Sequence, residues 1–216
     1  MKRVLLSWSS GKDSMLTLLR LQEMPDVEVV GLFTTHSGDE VPIQGTPIRI
    51  VQQQAQRLQL PLCTIALPHW PSNEVYKQTV VQGLQQSSLL FDTLAFGDLF
   101  LDGIAEFRRS YLEPQGWQTL FPLMGEPTSL LAQEIIQRGI ETYLISVDTT
   151  QLNGEFCGRR FDASLLAELP AANVDPCGER GEFHTLVVNS PAFTQRLDVQ
   201  PLHIERQERF HFQRYQ

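Results

Sequence analysis

Apolar residues 4–6 and Trp8 make a short run that stops at a polar stretch, Ser9-Ser10-Gly11-Lys12-Asp13-Ser14. After it, Met15, Leu16, Leu18, Leu19 and Leu21 recur at helical spacings. The pattern predicts a strand, a tight polar loop and a helix. Pro25 and Asp26 break that helix, and the valine-rich residues 27–33 predict a second strand. Strand, helix and strand fit within about thirty residues, the span of a βαβ unit. Residues 34–47 carry Gly38, Pro42, Gly45 and Pro47 without a clear period, and read as a loop long enough to carry function. A helix over 48–58, a strand over 62–67, a helix over 73–84 and a short buried strand over 93–96, ending at Gly97 and Asp98, continue the alternation. Such alternation predicts an α/β fold with a parallel sheet covered by helices on both faces.

Past Asp98 the pattern is less regular. It predicts a helix over 104–112, an apolar turn at 120–123, a helix over 129–138 and a strand over 141–147. Beyond Pro170 loops dominate until Leu186, Val187 and Val188, and the tail over 202–212 alternates enough for one terminal strand. The change predicts a division near residue 105, with an α/β domain over 1–105 and a smaller α+β domain over 106–216.

Composition narrows the function classes. With 42% hydrophobic residues among 216, the chain can bury one or two cores. Seventeen Lys and Arg against twenty-five Asp and Glu leave a net charge of −8, which repels a phosphate backbone over most of the surface. General nucleic-acid binding is disfavoured; a local basic pocket is not. Cys63, Cys157 and Cys177 form no Cys-x-x-Cys pair, so neither a disulfide framework nor a zinc cluster is expected, and a reducing cytoplasm is the expected location. The apolar runs fall far short of the roughly 20 residues that span a bilayer, so no membrane association is expected. Residues 1–8 offer basic then apolar positions, but the apolar stretch stops too early for a secretory signal.

The loop over 9–14 falls where open parallel sheets bind ligands, at the carboxyl end of a strand and the amino end of a helix. Backbone N–H groups and the helix dipole there attract an anion. Serine hydroxyls, Gly11 and Lys12 add donors that suit a polyphosphate. The Walker A spacing is absent. A simple helix start, capped by Ser or Asp, stands beside that reading.

Ser9-Ser10-Gly11-Lys12-Asp13-Ser14 resembles the Ser-Gly-Gly-x-Asp-Ser pyrophosphate loop of the N-type ATP pyrophosphatases, with Ser10 in the place of the first glycine. Gly97-Asp98-Leu99, Phe121-Pro122-Leu123, Gly158-Arg159 and above all Cys177-Gly178-Glu179-Arg180-Gly181-Glu182-Phe183-His184-Thr185 extend the likeness over nearly the whole length. Together they resemble the diphthine–ammonia ligase family and its bacterial relatives. The loop alone indicates only the superfamily, and the second string is far more specific. The resemblance implies a Rossmann-like, adenine nucleotide alpha hydrolase-type domain followed by a smaller one. It also implies ATP and Mg²⁺ as cofactors, and adenylation of a carboxylate before ammonia makes the amide.

Carried onto this chain, the resemblance implies that Ser9, Ser10, Gly11, Lys12, Asp13, Ser14, Gly97 and Asp98 bind ATP, Lys12 supplying a point charge to the phosphates. Asp13 and Asp98 would hold the metal. Glu179, Glu182 and His184, with Lys12, are the catalytic candidates, either glutamate positioning ammonium or taking its proton and His184 hydrogen-bonding the acyl-adenylate or assisting proton transfer near neutral pH. Arg159, Gly181 and Thr185 would meet the acceptor. Plainer roles stay open: Asp98 as a turn residue, His184 as a buried imidazole bonded to backbone, Cys177 as a small packed residue, the pairs Arg108-Arg109 and Arg159-Arg160 as solvated faces, and Trp8, Trp70 and Trp117 as core.

Gln44-Gly45 stands where many relatives have His-Gly, and Pro122-Leu123-Met124 where they often have Pro-Leu-Trp, changes that bear on the acceptor pocket. The implied partners are ATP, ammonium and a carboxylate on a small molecule or a modified protein side chain. The tail over 202–215 leaves pairing with a second copy, a homo-oligomer, open. Sulfur transfer to tRNA and a non-enzymatic adenine-nucleotide sensor are the competing readings.

Overall fold

The first run of apolar residues forms β1 (Lys2–Ser7), and α1 (Lys12–Glu23) and β2 (Val27–His36) complete the expected βαβ unit. The computed structural model describes residues 1–100 and 103–216. The expected loop over 34–47 is shorter than its polarity suggests. β2 runs on to His36, and β3 (Glu40–Val41) pairs with β4 (Thr46–Pro47) in a small antiparallel hairpin. Then come α2 (Ile48–Leu58), β5 (Leu62–Ala66), α3 (Asn73–Gln85), β6 (Thr93–Ala95), α4 (Ile104–Leu112) and β7 (Gln118–Leu120).

These strands form a five-stranded parallel sheet in the order β5-β2-β1-β6-β7. Strand order reverses at β1, so the loop that follows β1 opens at the switch point where open sheets bind ligands. Both faces are covered. Val4 and Leu6 enter the core under α1 and α2, while Leu5, between them, faces the opposite core with Val80 and Leu84 of α3 and Tyr111 and Leu112 of α4. The alternation of a strand's side chains is thus apolar on both sides, as a central parallel strand requires.

The rest of the chain supplies α5 (Thr128–Gln137), β8 (Glu141–Asp148), α6 (Ala163–Glu168), β9 (Phe183–Asn189), β10 (Pro201–Arg206) and β11 (Phe210–Tyr215). A four-stranded antiparallel sheet has the order β10-β11-β8-β9. The tail is therefore a hairpin rather than one strand, because the polar Gln207, Glu208 and Arg209 interrupt it and Gln207 N donates to Phe210 O at 2.9 Å. Helix α6 lacks enough length to show a period, although Asp162 caps it through Leu165 N at 2.9 Å.

The division expected at 105 falls inside α4, and β7 beyond it still pairs with β6. Nor does a polar seam follow: the core containing Val4, Leu6 and Met15 continues through Leu131 and Ile135 to Leu144, Val147 and Leu186 of the second sheet. Trp8 is buried, and Trp117 packs on Phe91 with ring centroids 5.4 Å apart. Trp70 overturns the expectation of core packing: it is 86% exposed, held between Pro68 and Pro71 on a backbone with φ of 49°.

Candidate active site

β1 ends at Ser7 and the chain turns through Ser9, Ser10 and Gly11 into α1. Ser10 makes the turn with φ of 73°, the left-handed region that glycine enters freely and serine enters at a cost of about 1–2 kcal/mol. Its buried hydroxyl lies 2.9 Å from Thr46 Oγ1 and donates to Gln44 Oε1 at 3.5 Å. The Ser10 carbonyl accepts from Val187 N at 3.0 Å and from Gln54 Nε2 at 3.1 Å. Gln54 also donates to Val187 O at 2.8 Å and accepts the Trp8 indole N–H at 2.8 Å. One buried amide on α2 thus ties the end of β1, the turn and β9 together.

Gly11 caps α1 and has no side chain with which to do so. Thr185 Oγ1, on β9, accepts the Lys12 N–H at 3.1 Å instead. The simple start capped by the loop's own Ser or Asp is thereby corrected: the cap comes from the other sheet. A Cβ at Gly11 would crowd the Thr185 carbonyl at 3.1 Å, so glycine lets β9 come this close. Ser9 Oγ donates to Ser14 Oγ at 3.3 Å, and Ser14 Oγ donates to Gly11 O at 2.9 Å. Both hydroxyls serve the loop itself.

Lys12 is only 2% exposed. Its ammonium donates to both Asp13 oxygens, at 3.0 and 2.7 Å, and to the Cys177 carbonyl at 2.6 Å, and lies 5.7 Å from the ring centroids of Phe161 and Phe183. Burial works against its charge, yet Asp13 first, with Cys177 and Glu179 after it, outweighs burial and holds Lys12 above the usual lysine range. Asp13 is pushed up by burial, against the pull of Lys12.

A cavity of about 200 Å³ opens over this pair. Gly11, Lys12, Asp13, Glu179, Gly181, His184 and Thr185 line it, joined by Gln44, Cys177, Gly178 and Phe183. Its volume is below the several hundred Å³ of whole small-molecule sites, room for part of such a molecule. Burial first, then the charge of Asp13, with Asp175 and Asp98 adding to it, pushes Glu179 up to about 8. Burial and Lys12 bring His184 down to about 4, so the imidazole is neutral near pH 7. Of the two roles expected of His184, a hydrogen bond to the ligand and proton transfer near neutral pH, a neutral ring suits the first.

Glu182 stands apart from Glu179. It is fully buried, and its carboxylate accepts Asp175 N at 2.7 Å and Arg180 N at 2.9 Å, clasping the loop that precedes β9. It does not line the cavity: it lies just before β9 begins, and its carboxylate is turned onto the N–H groups of Asp175 and Arg180. Asp175 completes the clasp, accepting Cys177 N at 2.7 Å and the Thr128 hydroxyl at 2.7 Å.

The remaining expectations separate from the cavity. Gly97 packs on α1, where a Cβ would meet Asp13 O at 3.1 Å. Asp98 is held by Arg108, Nε to Oδ2 at 2.5 Å and Nη2 to Oδ1 at 3.1 Å, with the guanidinium 4.2 Å from the Phe96 ring centroid. Asp13 and Asp98 therefore do not fit a resident Mg²⁺ site: each already faces a cation, and no group of three His, Cys, Asp or Glu gathers around a metal position among the described residues. Arg159 lies on the far side of β8, paired with Glu168 at 2.6 and 2.8 Å and away from the cavity. Arg109 meets Glu106 and Glu113 on its own helix and segment, as a solvated pair does. Cys177 is buried with its thiol raised by burial, and Sγ lies 3.2 Å from Thr128 O, a packed residue whose carbonyl is the part that meets Lys12.

Sequence reasoning missed Gln54, Asp175 and Phe161. A glutamine on the apolar side of α2 carried the only visible signal. Gln44 was visible as a departure from the family pattern, and the cavity is where it resides.

Residues 127–215, less than half of the chain, match the family described as Diphthamide synthase C-terminal domain. The matched stretch contains α5, the whole second sheet and the string that lines the cavity. No curated protein matches the sequence. Among solved structures the chain is similar to one described as the predicted subunit of tRNA methyltransferase from Methanocaldococcus jannaschii DSM, with 19% identity, a TM-score of 0.49, and coverage of 91% of this chain and 100% of that one. Among the described residues, no helix is long and apolar enough to cross a membrane.

Proposed function

We propose that this protein is an ATP-dependent amide ligase of the pyrophosphate-loop type, acting on a carboxylate and ammonia. The observation that carries the reading is the docking of β9 on the loop after β1, which puts Gly11, Lys12 and Asp13 in one cavity with Glu179 and His184. The family match over 127–215, which contains the cavity's Glu179 and His184, supports it.

In the first step a carboxylate oxygen of the acceptor bonds to the α-phosphorus of ATP while the bond to the β-phosphate bridge breaks, its electron pair leaving with pyrophosphate. The carboxylate thereby exchanges an oxide leaving group for AMP. Negative charge builds on the departing pyrophosphate, and the amino end of α1 and the buried ammonium of Lys12 meet it from fixed positions. In the second step the ammonia nitrogen bonds to the acyl carbon, the bond to AMP breaks, and the nitrogen sheds a proton. Glu179 is the group suited to take it, since a carboxylate held near 8 changes charge at the working pH. Neutral His184, in the same cavity, hydrogen-bonds the adenylate. Glu182, assigned to the chemistry from sequence, is reassigned to the scaffold.

The test is a product analysis with Mg-ATP, ammonium and a panel of carboxylates. Equal amounts of AMP and pyrophosphate, dependent on both acceptor and ammonium, are expected; ADP and phosphate would overturn the reading. ATP at 100 times its dissociation constant adds about 2.7 kcal/mol of stability. At roughly 2–4 °C per kcal/mol for a chain of this size, the melting temperature rises about 5–10 °C with ATP and not with GTP.

A further inference from the structure

The side-chain donors of the loop after β1 are already engaged. The Lys12 ammonium serves the Asp13 carboxylate and the Cys177 carbonyl, the Ser14 hydroxyl serves Gly11 O, and the Ser9 hydroxyl serves Ser14. Gln44 differs. It lines the same cavity from the turn of the β3–β4 hairpin, and among the described residues its side-chain NH₂ has no hydrogen-bond partner. Its oxygen is held. The Ser10 hydroxyl donates to Gln44 Oε1 at 3.5 Å and lies 2.9 Å from Thr46 Oγ1, so the hydroxyls run in series from Thr46 through Ser10 to the amide. Two strained residues adjoin Gln44, one through its hydroxyl and one in sequence: Ser10 has φ of 73° and Ile43 of 72°. Ile43 is the harder case, because a β-branched residue is an outlier there and its side chain, 70% exposed, gains little from packing. Across it Gln44 N donates to Pro42 O at 2.8 Å, the strained form of a γ-turn. The second sheet braces this turn: Arg214 on β11 pairs with Glu40 at 3.0 Å and donates to Gly45 O at 3.4 Å. Strain that the surroundings hold in place gathers at functional sites.

We propose that Gln44 is a ligand-binding residue whose amide N–H groups donate to an anionic oxygen of the ligand in the cavity, and that Ser10 is the positioning residue that orients this amide. A hydroxyl that donates is met only by the oxygen of a carboxamide, so Ser10 keeps the two N–H bonds for the ligand. With glycine at position 10 the amide could turn its oxygen toward the anion and repel it. A neutral donor also suits this place: a further cation beside Asp13 and Glu179 would pair with those carboxylates instead of the ligand. The phosphate oxygens of ATP and the carboxylate of an acceptor share the required chemistry. The inference rests on the ligase reading only for which of these two the amide meets.

Calorimetric titration with Mg-ATP, inorganic pyrophosphate and succinate tests it without turnover. Gln44→Met keeps the length of the side chain and loses its donors, and is expected to bind at least one probe about tenfold or more weakly. Gln44→Glu, which turns a carboxylate on the anion, binds that probe more weakly still. A loss with ATP and pyrophosphate assigns the amide to a phosphate oxygen; a loss with succinate alone assigns it to the acceptor carboxylate. Ser10→Gly, at a turn that glycine enters freely, weakens the same probe in the wild-type background and changes nothing in Gln44→Met, where no amide is left to orient. The proposal is overturned if both Gln44 variants bind every probe as the wild type does, or if the wild type binds none. Equal losses from Ser10→Gly in the two backgrounds would overturn the positioning role of Ser10. Binding that depends on Gln44 in a protein that forms no AMP with any acceptor would sink the ligase reading alone, whereas AMP formation with unaltered binding in both Gln44 variants would sink this one alone.

Discussion

The loop after β1 and the loop before β9 meet at Lys12, and they are held in opposite ways. The first is fixed from outside: Gln54 and Val187 hold the Ser10 carbonyl, and Thr185 takes the Lys12 N–H. The second is fixed from within, its own Glu182 and Asp175 carboxylates collecting the N–H groups of Asp175, Arg180 and Cys177. The difference teaches how to read a motif rich in acids. Three carboxylates lie within eight residues, two are consumed by the backbone, and only Glu179 is left facing the cavity, where burial and the charge of Asp13 favour its protonated form.

Glu182→Ala is the harshest way to break the internally held loop. Two buried N–H groups lose a charged acceptor, each bond worth about 1.5–3 kcal/mol. A loss of about 3 kcal/mol or more lowers the melting temperature by roughly 6–12 °C, read by calorimetry. Glu179→Gln sharpens the contrast from the other side. The fold and ATP binding persist while turnover falls by about 10²-fold or more, measured as AMP release. Equal thermal losses in the two variants would erase the distinction between them.

The pH dependence of stability separates the two cavity groups. Glu179 sits at about 8 in the folded protein against an ordinary 4.5, so the folded state keeps a proton that the unfolded chain gives up, and stability falls as pH rises across that interval. His184 sits at about 4 against 6.5, so the unfolded chain binds the extra proton and stability rises with pH over its interval. Below pH 6.5 the two slopes offset one another, so wild-type melting temperatures are expected to be flat from pH 5 to 6.5 and to decline from 6.5 to 8; Glu179→Gln loses the decline and uncovers a rise below pH 6.5, whereas His184→Gln declines over the whole range.

Thr185→Val tests the externally held loop. It removes one cap, worth about 1 kcal/mol, and the melting temperature drops about 2–4 °C. Arg159→Ala, at a solvated pair remote from the cavity, leaves both turnover and melting temperature in place.

Much of the first sheet was legible because Val4, Leu5 and Leu6 are apolar without interruption and the flanking helices keep their period; α2 begins and ends at the expected residues. The second sheet was less legible. β10 and β11 join through a three-residue polar turn that a coarse alternation passes over, and α6 is too short to show a period. In the cavity, the motif showed which residues gather but not what each does. Glu179 and Glu182 are the same residue type three positions apart, and the N–H groups that claim one of them become visible only in the folded loop. Arg159 shows the same limit: Gly158-Arg159 carried part of the resemblance drawn from the sequence, yet Glu168, nine residues on, occupies the guanidinium.

The cap that Thr185 places on α1 joins residues 173 apart in the chain. During synthesis the parallel sheet can assemble from its own strands once β7 has emerged, but the amino end of α1 waits for β9, in the last fifth of the sequence, and so do Val187 and the Cys177 carbonyl. Closing so long a loop is slow relative to local pairing. A nascent chain therefore pairs its first strands before the loop after β1 is capped, and the cavity stays incomplete until the carboxyl-terminal strands have docked.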